Sequence, residues 1–129
     1  MPVLTMNPTL GDLLKFELNG SYCRETVTLK AGTSYPLGAV LGKITASGKY
    51  RLSPNTVAAG DEGAETSLAV LLEAVDATAA DKTGLIAARG PVILSKAAMV
   101  FDATVNDATK KAAKHTQLAA AGLVARDTA

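Results

Sequence analysis

Turn-forming residues recur so closely along this chain that most of it has room only for short strands. Asn19-Gly20, Gly32, Pro36, Gly38, Gly48, Pro54, Gly60, Gly63 and Gly90-Pro91 punctuate the stretch from residue 13 to residue 94. The longest apolar run there, Leu68–Val75, is itself broken at Glu73. Glycine supplies positive φ and proline removes an N–H, so such spacing favours turns between brief extended segments. Asn19-Gly20 lies between Leu13–Leu18 and Tyr22–Leu29 and predicts a two-residue hairpin. In the second run Cys23, Glu25, Val27 and Leu29 alternate with Tyr22, Arg24, Thr26 and Thr28, the period of a half-buried strand. Ala31–Pro36 reads as a turn, Val40–Thr45 as a strand whose Gly42 allows close backbone approach, and Lys49–Leu52 as another. Ser53–Asn55 and Ala58–Ala64 read as an irregular loop tipped by Asp61, Glu62 and Glu65. Leu68–Val75 fits a buried strand or a short helix, and the turn residues after it favour the strand. Leu85–Ala88 and Val92–Leu94 follow as strands.

One segment has helical character. Asn106 or Asp107 can cap it, Gly122 stands where a C′ glycine is wanted, and Leu123–Ala125 then reads as a terminal strand. Ala108, Ala112, Leu118 and Ala119 are expected along one side, with Lys110, Lys111 and Lys114 on another. At the other end, residues 1–11 carry Val3, Leu4, Met6 and Leu10, no charged side chain, and Pro2 and Pro8. A free tail is ordinarily polar and charged, so this segment is expected to be an extended docking arm ahead of a single domain over 12–129. It lacks the basic and apolar regions of a secretory signal.

Composition narrows the function classes. Aromatic residues make up 4% and tryptophan is absent, while alanine clusters at 58–59, 79–80, 112–113 and 119–121. A core of Leu, Val and Ala buries less area per side chain than an aromatic one, so association is expected to add stability. Thirteen basic and twelve acidic residues leave a net charge of +1, which gives no global attraction to nucleic acid. No apolar run approaches the roughly 18 residues of a membrane span. One cysteine, Cys23, and one histidine, His115, cannot build a His/Cys metal cage or a disulfide framework. Any Ser-His-Asp or Cys-His site would need His115, which lies on the alanine-rich helix. Gly38–Ile44 imitates a phosphate loop, but its glycines are one residue too close and Ile44 replaces the Mg²⁺-binding hydroxyl. Lys82-Thr83-Gly84 matches a β-lactamase triplet without any Ser-x-x-Lys to supply the nucleophile. Asp61/Glu62 and Asp76/Asp81 read as solvated loop charge; a calcium site at Asp61, Glu62 and Glu65 would not have EF-hand spacing. No catalytic, cofactor or metal residues are assigned.

Gly60-Asp61-Glu62-Gly63-Ala64 leading into Leu68–Asp76, then Leu85–Ile93, then Asp107–Ala113 running on to Gly122-Leu123-Val124, resemble the lambda-type bacteriophage head decoration protein family. Leu10–Lys15 and Tyr22–Glu25 are similar to patterns in its prophage members. The hairpin-like segment 13–29 departs from the polar arm of lambda's own protein. The resemblance implies a mainly β, β-clip-like fold of α+β character with one short C-terminal helix, assembled as a homotrimer. It implies that Val3, Leu4, Met6, Pro8 and Leu10 of the arm contact the major capsid protein. It further implies a structural, non-enzymatic role without cofactor, nucleic acid, membrane or small-molecule substrate. The expected place is the capsid exterior at three-fold sites, after synthesis in the host cytoplasm. A tail or adhesion component, as another β-rich binding module, is the alternative.

Overall fold

The alternation of side chains along three strands divides the interior into two cores. The computed structural model describes residues 13–17 and 23–126. Its strands are β1 (Leu14–Glu17), β2 (Arg24–Leu29), β3 (Ser34–Tyr35), β4 (Val40–Lys43), β5 (Tyr50–Leu52), β6 (Ser67–Leu71), β7 (Val75–Asp76), β8 (Lys82–Ala87), β9 (Val92–Ser95) and β10 (Leu123–Arg126). A 3-10 turn covers Lys96–Ala98, and helix α1 spans Ala108–Ala120. Five strands close into a barrel in the order β2-β5-β4-β6-β8. Leu29, Leu41, Ala69, Leu71 and Ile86, drawn from around this ring, form one core with Tyr35, Ala39 and Ala77. The alternate positions Val40, Val70 and Ala87 join the second core, with Leu13, Cys23, Leu72, Val92, Leu94, Met99, Leu118 and Leu123. Burial on both faces explains why Val40-Leu41 and Ala69-Val70-Leu71 lack polar alternation.

The second core is covered by α1 and a three-stranded sheet ordered β1-β9-β10. In it β1 runs antiparallel and β10 parallel to the central β9. A two-stranded pair, β3-β7, completes the β structure among the described residues. The mainly β expectation with one C-terminal helix is therefore met, and its β part is a small closed barrel with two satellite sheets.

The hairpin expected over residues 13–29 is not found. Its two runs are strands, but β1 pairs with β9 while β2 pairs with β8 and β5. Asn19-Gly20 lies outside the described residues. A local turn signal cannot anticipate that each flanking strand has a better partner far along the chain. The Arg24 guanidinium still reaches back to the Glu17 carboxylate, at 2.7 and 3.0 Å. Likewise β8 and β9, adjacent in sequence, enter different sheets. The expected turn at 31–36 contains β3, which a continuation of the 68–75 run meets as β7.

Close approach requires glycine at several positions, Gly42 and the Gly90–Gly122 pair among them. A Cβ on Gly42 would stand 2.0 Å from the Ala64 carbonyl oxygen, so the loop 53–66 can lie directly on β4. Gly122 has φ +86° and ends α1 as expected. It sits against Gly90, where a Cβ would fall 1.9 Å from the Gly122 carbonyl oxygen. That contact delivers the chain from the helix onto β9 in register for β10.

Candidate functional site

The sequence singled out the arm, and its residues Val3, Leu4, Met6, Pro8 and Leu10 lie outside the described residues. What the structure places is the point from which that segment departs. Leu13 is fully buried in the second core, immediately before β1. The described chain thus begins with a core side chain immediately before the edge strand β1.

The helix beside this sheet is turned opposite to the sequence expectation. Ala108, Ala112 and Ala119 are exposed, and Leu118 is buried alongside Lys114 instead of sharing their face. Lys110 and Lys111 remain at the surface side, so the three-lysine patch does not exist. Asp107 caps the helix, its side chain accepting from the Lys110 N–H at 2.8 Å. Lys114 is 2% exposed, and its ammonium donates to Ser53 Oγ (2.9 Å), the Pro54 carbonyl (2.6 Å) and the Glu65 carbonyl (2.5 Å). One turn on, the Gln117 Oε1 accepts from the backbone N–H and hydroxyl of Ser67, and that hydroxyl also donates to the Lys114 carbonyl. Burial holds the Lys114 ammonium below the ordinary lysine value, opposed in part by the Glu65 and Asp102 carboxylates. Periodicity missed this because a lone lysine among alanines reads as a solvated position. Ser53, Glu65 and Ser67 carry no spacing signal linking them to it.

In the acidic loop Glu62 is exposed as expected, but Asp61 is not the solvated charge expected from sequence. Asp61 is 5% exposed and accepts two bonds from the Lys30 ammonium, at 2.7 and 2.8 Å, and one from the Arg51 guanidinium, at 2.7 Å. The Lys30 hydrogen bond, followed by that of Arg51, holds its carboxyl below the usual carboxylate range. Arg51 reaches on to Asp102 at 3.4 Å. These groups line a cavity of about 150 Å³ with Ala31, Thr33, Tyr35 and Leu52. Its two cations and two carboxylates pair with one another, so it presents no net charge to a ligand. Glu62 and Glu65 accept from the N–H groups of Gly60 and Gly63 in their own loop. They do not converge with Asp61 on a shared cation, and among the described residues no three His, Cys, Asp or Glu side chains gather as metal ligands.

His115 packs edge-on against Phe101, with ring centroids 5.6 Å apart. Cys23 is fully buried in the second core. Gly38–Ile44 contains β4 and has no helix start after it, so it does not form a phosphate cradle. No helix among the described residues is long and apolar enough to cross a membrane. The surface instead offers two apolar features: the alanine face of α1, and the outer side of the β1-β9-β10 sheet, whose edge strand β1 follows Leu13.

Comparison with known proteins agrees with the resemblance read from the sequence. The family described as bacteriophage lambda head decoration protein D matches residues 3–123. No curated protein matches.

Proposed function

The chain belongs to the bacteriophage lambda head decoration protein D family, and from that membership we propose that it clamps the outer surface of the expanded head at three-fold sites, as a homotrimer, against the pressure of packaged DNA. The family is a structural component of the phage head, not an enzyme family. The match over residues 3–123 carries the reading, because it includes most of the arm as well as the domain.

Residues 1–11 supply the shell contact in this proposal. Val3, Leu4, Met6, Pro8 and Leu10 suit an extended segment that adds to a sheet edge of the major capsid protein, gaining main-chain hydrogen bonds and burying alternate side chains. Three arms on one trimer act together, since each contact after the first is intramolecular. The exposed small residues Ala108, Ala112 and Ala119 support close approach of copies.

Deletion of residues 1–11 tests this. The melting temperature is expected to stay within a few degrees, because Leu13 and the rest of the core are retained. Affinity for expanded, undecorated heads is expected to fall at least about tenfold, or roughly 1.4 kcal/mol per arm. Unchanged head binding together with a collapsed melting temperature would show that the arm belongs to the core. Cryo-microscopy of the parent virion tests the trimer; this chain seen as isolated monomers or pentameric caps would rule it out.

A further inference from the structure

The barrel is joined unevenly around its circumference. Strand β2 pairs with β8 along its whole length, from Arg24 opposite Ala87 to Leu29 opposite Lys82. On its other side it meets β5 only where Leu29 stands opposite Tyr50. Main-chain groups of successive residues point to opposite sides of a strand. The Cys23 carbonyl accepts from the Ala88 N–H at 2.8 Å, so Cys23, Glu25, Val27 and Leu29 turn their main-chain groups towards β8. The Lys30 N–H donates to the Tyr50 carbonyl at 2.9 Å, so Arg24, Thr26 and Thr28 turn theirs towards the β5 side. Among the described residues no strand pairs with residues 24–27 on that side.

Side chains close what the ladder leaves open. Asp61 joins Lys30, which follows β2, to Arg51 in β5, at 2.7 Å on each side. Asp81, just before β8, accepts from the Ala31 N–H at 2.7 Å and pairs with Lys49, just before β5, at 2.6 Å. Both ties stand at the Leu29 end of the seam. The Glu25–Arg89 pair at the Arg24 end is exposed and joins β2 to the chain after β8, so it does not cross the seam. Asp61 is therefore the buried tie between the two strands. Lys30, Asp61 and Arg51 also line the polar cavity together with Tyr35, whose ring belongs to the barrel core beside Leu29. The cavity thus lies where the seam meets that core.

We propose that the β2–β5 seam is a gate in the barrel, with Asp61 as its latch. It opens by itself while β2 stays on β8. Opening breaks the Lys30–Tyr50 hydrogen bond and the Asp61 bridge, and it extends the cavity towards Leu29 and Tyr35. Local openings are drawn from regions where few bonds must break, and this junction offers one ladder pair and a set of charges. Removing the latch shifts the population of open and closed forms without changing the other ladders.

The test is native-state hydrogen exchange of the full-length protein, read amide by amide. Leu29 and Lys30 are adjacent but face opposite sides of the strand, which separates a gate from a frayed end. The Lys30 amide is expected to exchange at least about tenfold faster than those of Leu29 and Val27. Equal exchange of Leu29 and Lys30 would mean that the end of β2 frays as a whole, and the gate would be lost. Asp61→Asn is expected to speed Lys30 exchange by about tenfold while Val27 keeps its protection relative to global unfolding. Leu118→Ala, which lowers global stability through the other core, is expected to leave Lys30 exchange within about twofold of the parent. Unchanged Lys30 exchange in Asp61→Asn, or equal acceleration in both variants, overturns the proposal: the first removes the latch, and the second shows that Lys30 exchanges only through global unfolding.

Discussion

Lys114 and Asp61 are the two charged residues buried most deeply among those described, and the protein accommodates them in opposite ways. Asp61 is an anion between two cations, Lys30 and Arg51. Lys114 is a cation whose hydrogen-bond partners are a hydroxyl and two backbone carbonyls, all electrically neutral. The first arrangement offsets desolvation by direct charge pairing. The second offsets it with oriented dipoles, and in return satisfies loop carbonyls that α1 and β6 would otherwise cover. Each ties the loop between β5 and β6 to something distant: Asp61 to the end of β2, and Lys114 to the C-terminal helix. That loop has little regular structure, so these two charges hold much of it in place.

The largest loss is expected at Lys114. Lys114→Met removes the cost of burying a charge but strands three acceptors, at about 1–3 kcal/mol for each buried group left unpaired. Stranding outweighs the relief, and a destabilisation of about 2–4 kcal/mol is expected in denaturant unfolding. A neutral or stabilising result would mean the cage relaxes to water and that the ammonium is dispensable. Asp61→Asn is expected to cost less, about 1–2 kcal/mol. Lys30 is already 45% exposed and returns to solvent, and Arg51 keeps Asp102. If Asp61→Asn proves the more damaging, charge pairing outranks dipole solvation here and the contrast is reversed. Asp102 touches both arrangements, pairing with Arg51 and raising the Lys114 pKa from nearby. Asp102→Asn keeps an oxygen for the Thr104 N–H and hydroxyl, and less than about 1 kcal/mol is expected to be lost.

The two groups also predict opposite behaviour with pH. Asp61 has its pKa lowered in the folded state, so its contribution is present above the ordinary carboxylate value and is lost as pH falls through the folded value. The stability gap between the parent and Asp61→Asn is therefore expected to narrow in acid. Lys114 also has a lowered pKa, but for a lysine the charged form is the one disfavoured by folding. Its penalty is constant below the folded value and is relieved as pH rises from there towards 10.5. The gap between the parent and Lys114→Met is expected to widen over that range. Burial raises Tyr35 and Tyr50, which cost stability above their ordinary values, but both tyrosines are present in the parent and in the variant and cancel in the difference. Thermal or denaturant unfolding of each pair across pH measures both slopes. The smallest effect is expected at His115→Ala, which removes the edge contact with Phe101 but should leave head binding unchanged. Lost binding by a variant with unchanged folding would show that the histidine takes part in function.

Several elements could be read from sequence because their causes are local. Asp107 caps α1 and Gly122 ends it because an orphan N–H and a positive φ are needed within a few residues. The short strands follow from closely spaced turn residues, and Gly42 was legible as a close-approach position. The family was likewise open to inspection as a set of patterns along the chain. Pairing was not. Whether Leu14–Glu17 joins its neighbour or β9 depends on which surface covers Leu13 and Leu94, a choice made by core packing across more than seventy residues. The direction of α1 was decided in the same way. Its alanines are small enough to sit on either side, so hydrophobicity set no strong preference. Leu118 together with the oxygen cage around the Lys114 ammonium turned that side inward. The cage consists of groups from residues 53, 54 and 65, which are brought together only when Gly42 lets the loop lie against β4. A buried charge depends on partners that assemble only on folding, so tertiary structure alone could place it.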